Sequence, residues 1–310
     1  VNNLRLKIGK FLKEILRMFL QDAEALTRYA DHRISGNPAS IALEAGIFFK
    51  AFGGLFLRDL RVLTREFLPF ILRVGMQPLL FLFVFTFILP RMGNGNPMTV
   101  GGTGVDFGTI LLPGLMAVAI MFSGIAGVAL PLSNEFGITR EIDDRVMCPV
   151  PLWAVALEKV CFSAMQSMIA ALLVIPMARY IPAVPVRADV HHWFLFALVL
   201  VLASLLAGSL GLVIGSIVNP KQIGLVFSII VVPITFLGCV YYPWSWLDKI
   251  RWLKYGVLFN PIVYISEGLR AAVTPSIEHM PWWAILAALF FFTAALGRWG
   301  LKGFLGRVLS

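Results

Sequence analysis

Six stretches of predominantly apolar residues dominate the chain, at about 67–90, 108–132, 153–180, 193–218, 223–242 and 282–303. At roughly 1.5 Å of rise per residue, a helix of about twenty residues crosses a hydrocarbon core about 30 Å thick. Backbone inside lipid has to satisfy its own hydrogen bonds, which restricts it to helices or a closed barrel. Runs of this length select helices, because barrel strands alternate over segments of only about ten residues. Composition agrees: of 310 residues, 59% are hydrophobic and 14% charged, with a mean hydropathy of +0.84, whereas a soluble domain carries roughly 25% charged residues. The expected fold is an all-α integral membrane protein with six transmembrane helices. Amphipathic helices on the cytoplasmic face precede them, and interfacial or re-entrant helices stand before the last span. Disorder, a collagen-like repeat and a small disulfide scaffold are excluded.

The net charge of +9 and pI near 9.7 mark topology in such a chain, since cytoplasmic loops collect Lys and Arg. With the N-terminus inside, the cytoplasmic segments hold seventeen Lys and Arg against seven outside. Both termini are therefore expected in the cytoplasm of a multi-pass protein of the inner (plasma) membrane. No basic and aromatic platform outside the spans offers a nucleic-acid surface. Cys148, Cys161 and Cys239 are far apart and form no CxxC pair, which reads as packing and not as a metal site or disulfide framework. The N-terminal stretch is amphipathic and basic and lacks the apolar core of a secretory signal.

Before the first span, Leu4, Ile8, Phe11, Ile15 and Phe19 recur at spacings of three and four, with basic residues elsewhere on the turn. That face suits a helix on the inner membrane surface or in a partner's apolar groove. Ser35-Gly36-Asn37-Pro38 ends it. A second amphipathic helix is expected at 47–66, with Phe48, Phe52, Leu55, Phe56, Leu60 and Leu63 as its apolar stripe and Arg58, Arg61 and Arg65 on another face. The chain thus divides into an N-terminal amphipathic segment (1–46), an interfacial helix (47–66), a six-span domain (67–303) and a cytoplasmic tail (304–310). Two connections are unusual. The loop 133–151 is densely charged, and 243–281 is aromatic and amphipathic, as membrane-interface segments are.

No catalytic constellation is assembled. Gly9-Lys10 is the sole Gly-Lys pair and lacks the spacing of a phosphate-binding loop. His191 and His192 have no further ligands at metal-site spacing. Ser123 lies in a span, but the spans carry no histidine to activate it. Arg73, Glu158 and Lys159 lie about two turns into the first and third spans, where they snorkel to the boundary or pair with one another. Gly114, Gly124, Gly127, Gly208, Gly211 and Gly215 suit close helix contact.

Two motifs stand out. The first is Glu135-Phe136-Gly137-Ile138-Thr139-Arg140-Glu141 leading to Pro149. The second is Pro233-x-x-Phe236-x-Gly238, then Tyr242-Pro243, Trp252, Asn260-Pro261, Tyr264, Glu267 and Arg270. With the order of parts, they give residues 47–303 a pattern that resembles the permease of type-two ATP-binding-cassette exporters, a family handling drugs, antibiotics, lipo-oligosaccharides and polysaccharides. Here Ile138 separates Gly137 from Thr139, and an acidic stretch through Asp144 replaces a commoner leucine-rich one.

The resemblance implies a non-enzymatic subunit that binds no cofactor or metal. Two copies of a separate ATPase would hold ATP and Mg, and a second copy of this chain or a homologous permease would complete the pathway. It implies that Glu135, Gly137, Thr139, Arg140, Glu141, Asp143, Asp144 and Arg145 couple to the ATPase, and that the helix bearing Arg58, Arg61 and Arg65 connects to it at the gate. Gly238, Pro243, Asn260, Pro261, Tyr264, Glu267 and Arg270 form an outer re-entrant motif. The aromatic, cation-poor spans favour a hydrophobic or amphipathic cargo, a drug, antibiotic or lipid, over a polysaccharide or lipo-oligosaccharide. A channel or secondary transporter, and a lipid-modifying enzyme, are the competing classes. Membrane lipids are expected contacts.

Overall fold

A computed structural model describes residues 38–92, 107–139, 151–180, 193–275 and 277–308. The chain divides into two compact units, Val1–Gly54 and Leu55–Ser310. The described part of the first is the opening of helix α1 (Pro38–Arg65), and the expected helix over 4–19 lies outside the described residues. α1 starts at Pro38 rather than at 47. A proline is well placed at a first helical position, where its missing N–H leaves no bond unmade.

Within the second unit, Phe56, Leu60 and Leu63 of α1 turn toward Phe70, Phe162 and their neighbours, while Leu57, Arg58, Arg61, Val62 and Arg65 are exposed. A turn at Glu66 leads into α2 (Phe67–Leu82), prolonged by a π-helical stretch, Phe83–Ile88, and the short run Leu89–Met92. α3 (Phe107–Asn134) ends in a second π-helical stretch, Glu135–Thr139. α4 (Leu152–Tyr180) and α5 (Trp193–Ile217) follow. Next come the shorter apolar helix α6 (Pro220–Phe236), α7 (Arg251–Gly256), α8 (Pro261–Val273) and α9 (Trp282–Val308). Among the described residues, all regular structure is helical.

Among the described residues, five helices are long and apolar enough to cross a membrane: Phe67–Ile88, Phe107–Gly137, Leu152–Tyr180, Trp193–Ile217 and Trp282–Val308. The fifth of the six expected spans, 223–242, is shorter. Its helix stops at Phe236, the chain turns through Leu237–Cys239, and Cys239 takes a left-handed φ of 52°. At about 1.5 Å per residue, α6 falls a few ångströms short of a core about 30 Å thick. At the other extreme, α9 runs on through Val308, so most of the expected tail is helical, with Phe304 wholly buried.

α3 is the axis of the bundle, buried along nearly its whole length and packed against α4, α5 and α8. Lipid tails are as apolar as leucine, so helix association in a membrane relies on close packing. Small residues supply it. A side chain at Gly211 would strike the Ile125 carbonyl at 2.8 Å, and one at Gly124 would sit 2.5 Å from the Ala207 Cβ. The Ser163 hydroxyl adds a hydrogen bond from α4 to the Gly124 carbonyl of α3 at 2.6 Å.

Near the start of α3, a Cβ at Gly114 would overlap the Val240 carbonyl of the turn after α6. Gly114→Ala is expected to destabilise the protein by about 3 kcal/mol, since backbone has to shift. Gly224→Ala, with nothing within 4 Å, should be neutral or stabilising by up to about 1 kcal/mol. Thermal unfolding followed by size exclusion compares the two, and equal midpoints would contradict the packing.

Candidate functional site

Charged residues inside the bundle gather toward the two ends of α3, whose 28 residues span roughly 40 Å at about 1.5 Å per residue. At its C-terminal end, Glu135 opens the π-helical stretch and is buried. Its Oε1 lies 2.8 Å from the Nζ of Lys159, which projects from the second turn of α4 and is 3% exposed. The same ammonium is 3.9 Å from the Asp59 carboxylate of α1, and Asp59 also holds the Arg58 guanidinium at 2.9 Å. One buried cation therefore joins three helices. A lone ammonium in apolar surroundings is strongly disfavoured, and this one has carboxylates on two sides.

Of the sequence-predicted coupling residues, Glu135 sits in this network. Gly137 faces Pro220, where a Cβ would come within 2.7 Å, and Thr139 ends the π-helical stretch. Arg140, Glu141, Asp143, Asp144 and Arg145 lie outside the described residues. Arg61 and Arg65 are exposed on α1. Lys159 finds its partners on α3 and α1, while Arg73 is exposed. Asp59 was missed by sequence reasoning. An acid one helical turn from both Leu55 and Leu63, on the apolar stripe of α1, is the signal that would have found it.

At the opposite end, Gly238 and the motif residues from 260 to 270 gather at α8, while Pro233, Phe236 and Trp252 are exposed. Asn260 caps that helix through a 3.1 Å bond from the Ile262 N–H, and its amide donates to the Ile234 carbonyl at 2.6 Å. Pro261 occupies the first helical position. Glu267 and Arg270, both wholly buried, form an ion pair one turn apart. The Glu267 carboxylate accepts the Trp244 N–H at 3.0 Å and the Met280 N–H at 3.2 Å, while Arg270 donates to the Cys239 carbonyl at 3.2 Å. Ser266 donates to the Gly238 carbonyl at 2.8 Å, and the Tyr264 hydroxyl donates to the Leu258 carbonyl at 3.0 Å.

Gly238 is needed for space, since a Cβ there would meet the Ile262 Cγ2 at 2.5 Å. The buried Pro243 precedes the 3₁₀ turn at Trp244–Lys249. Trp244 packs under the Lys254 ammonium, 4.0 Å from its ring centroid, and donates to the Lys254 carbonyl. The arrangement uses charge to tie irregular backbone to a buried helix. The Glu267 carboxylate and the Arg270 terminal nitrogens are occupied with the protein's own chain.

Removing one member of a buried pair strands the other, at a cost of about 3–5 kcal/mol. Arg270→Met is expected to lower thermal stability on that scale. The double variant Glu267→Leu/Arg270→Met should recover only part, because the Trp244 and Met280 amides lose their acceptor. Melting of the detergent-purified variants reads this, and full recovery would reduce the carboxylate to charge pairing alone.

Residues 51–274 match the family model described as ABC-2 type transporter. The matched region runs from α1 through α8 and takes in Asp59, Glu135, Lys159, Glu267 and Arg270. The inner membrane transport permease YadH of Escherichia coli (strain K12) is 29% identical over 170 residues, which cover 54% of this chain and 63% of that protein. The protein of the same name from Shigella flexneri matches to the same extent. The chain thus spans less than two thirds of the length of these relatives. With five helices among the described residues long and apolar enough to cross a membrane, and a family match over most of its length, the chain is a multi-pass membrane protein belonging to the ABC-2 type transporter family.

Proposed function

We propose that this permease is the membrane half of an ATP-driven exporter of the inner membrane, with both termini cytoplasmic. Two copies of a separate ATPase subunit bind ATP and Mg, and two permease copies enclose the pathway. The observation that carries the reading is the buried Lys159, 2.8 Å from Glu135 and 3.9 Å from Asp59. Glu135 stands at the entrance to the charged loop 133–151, which serves as the docking element for the ATPase. Charge at such an interface fixes register and orientation. A push on that loop reaches α4 and α1 through the shared cation, because separating it from either carboxylate inside the bundle is unfavourable. Arg58, Arg61 and Arg65 place α1 at the cytoplasmic gate.

The cargo is hydrophobic or amphipathic: a drug, an antibiotic or a lipid taken from the cytoplasm or the inner leaflet. Stacked and tilted rings of Phe81, Phe85, Phe107, Phe236 and Tyr241 lie at the end opposite Lys159. Exposed Phe83, Val84 and Leu237 add apolar surface there. Such a surface gains dispersion contacts from apolar cargo and offers little to the hydroxyls of a polysaccharide or lipo-oligosaccharide.

The double variant Glu141→Gln/Arg145→Gln tests the coupling in proteoliposomes that contain the permease and its ATPase. Transport of a lipophilic fluorescent dye should fall about tenfold or more while ATP hydrolysis and membrane insertion persist, the loss expected from breaking a charged interface. Dye movement at full rate by the permease alone, down a gradient and without ATP, would overturn the proposal.

A further inference from the structure

The inner end of the bundle holds a second basic anchor, on the last helix, that neither motif contains. Arg307 of α9 directs Nη1 at three backbone carbonyls of the α5 terminus: Gly215 at 3.2 Å, Ser216 at 3.2 Å and Val218 at 2.9 Å. The last carbonyls of any helix lack intrahelical donors and carry the negative end of its dipole. Here sequence deepens the deficit. The natural partner of the Ser216 carbonyl is the N–H of residue 220, and that residue is Pro220, which has none.

The same guanidinium lies 4.4 Å from the centroid of the Phe136 ring, and Phe136 also packs on Phe304 of α9 at 6.0 Å. Phe136 and Gly137 belong to the π-helical stretch that leads into the charged loop, and Gly137 abuts Pro220. One planar cation therefore contacts the end of α5, the last helix and the entrance to the loop. Arginine suits this use because its face stacks on an aromatic ring while its edge donates hydrogen bonds.

We propose that Arg307 is a positioning residue for energy coupling. It fixes the Glu135–Thr139 stretch against the ends of α5 and α9, so that displacement of the loop moves those helices as well as α1 and α4. This rests on the exporter reading above, and the experiment has two arms so that the two claims fail separately.

The first arm follows backbone hydrogen exchange in the full chain, held in lipid nanodiscs without the ATPase. Arg307→Met should speed exchange across 133–139 about tenfold, within the spread of local opening energies, and leave the interior of α5 unchanged. Arg307→Lys keeps the charge but loses the planar face and should fall between. Phe136→Leu should act in the same direction, and it keeps the test open if the methionine variant fails to fold. Unaltered exchange at 133–139 in every folded variant overturns the proposal.

The second arm measures dye transported per ATP hydrolysed when the chain is assembled with its ATPase. Arg307→Met should lower that ratio about fivefold, typical of residues that carry coupling without touching ligand, with the KM for ATP unchanged. Partial rescue by Arg307→Lys is expected. An unchanged ratio in a wild-type-like assembly defeats the positioning role. A wild-type assembly with no ATP-driven transport defeats the exporter reading, and the exchange data still decide whether Arg307 holds the stretch.

Discussion

Hydrocarbon offers no hydrogen bonds, so every backbone amide and carbonyl at membrane depth must find its partner within the protein. Five continuous helices meet that requirement along their lengths, and the difficulty moves to the places where helices stop. Several buried polar side chains answer it there. Glu267 serves the amides of Trp244 and Met280, Arg270 the carbonyl of Cys239, Ser266 that of Gly238 and Asn260 that of Ile234. At the other end, Arg307 serves Gly215, Ser216 and Val218. In each case a side chain does what water does at a surface helix terminus, and it thereby ties the broken end to a second element.

This division explains what could be read from the sequence. Hydropathy located α2, α3, α4, α5 and α9, because a long apolar run has few alternatives to a helix. It overextended α6, since residues 237–242 are apolar enough to continue a span. Nothing in a hydropathy sum registers the left-handed Cys239 or the demand of Arg270 for its carbonyl. The second motif was legible as a set of residues, but that they meet around α8 became visible only with the chain folded. Lys159 stood out as a charge within a span. Its partners on α3 and α1 did not, as they are 24 and 100 residues away in sequence. Arg307 counted only toward topology.

The two ends of the molecule use charge differently. Around Lys159 the contacts are between side chains on separate helices, and the cation is shared unequally, at 2.8 Å from Glu135 and 3.9 Å from Asp59. Such an arrangement can be redistributed by a small shift while the charge stays compensated. Around Glu267 and Arg270, nearly every bond ends on backbone and the pair lies within one turn of a single helix. Helix, turn and the chain before α9 are held there as one body. In the proposed exporter, the first end suits a joint and the second a rigid block.

α3 connects them. It is buried along most of its length, and through Gly124 and Gly211 its backbone meets α5 with no flexible side chain between. Packed elements of this kind slide or tilt as units in preference to deforming, because interior packing is close to that of a crystal. In the proposed exporter, a displacement of Glu135 would be delivered along α3 to Gly114, where the chain touches the Val240 carbonyl directly. The turn after α6 must move with it or be released from it. That turn is bound to α8 by Arg270 and Ser266, so the element that follows α3 is the α8 block as a whole. α2 and α9, which are mostly exposed, would in the proposed exporter be left to adjust against lipid or a second permease.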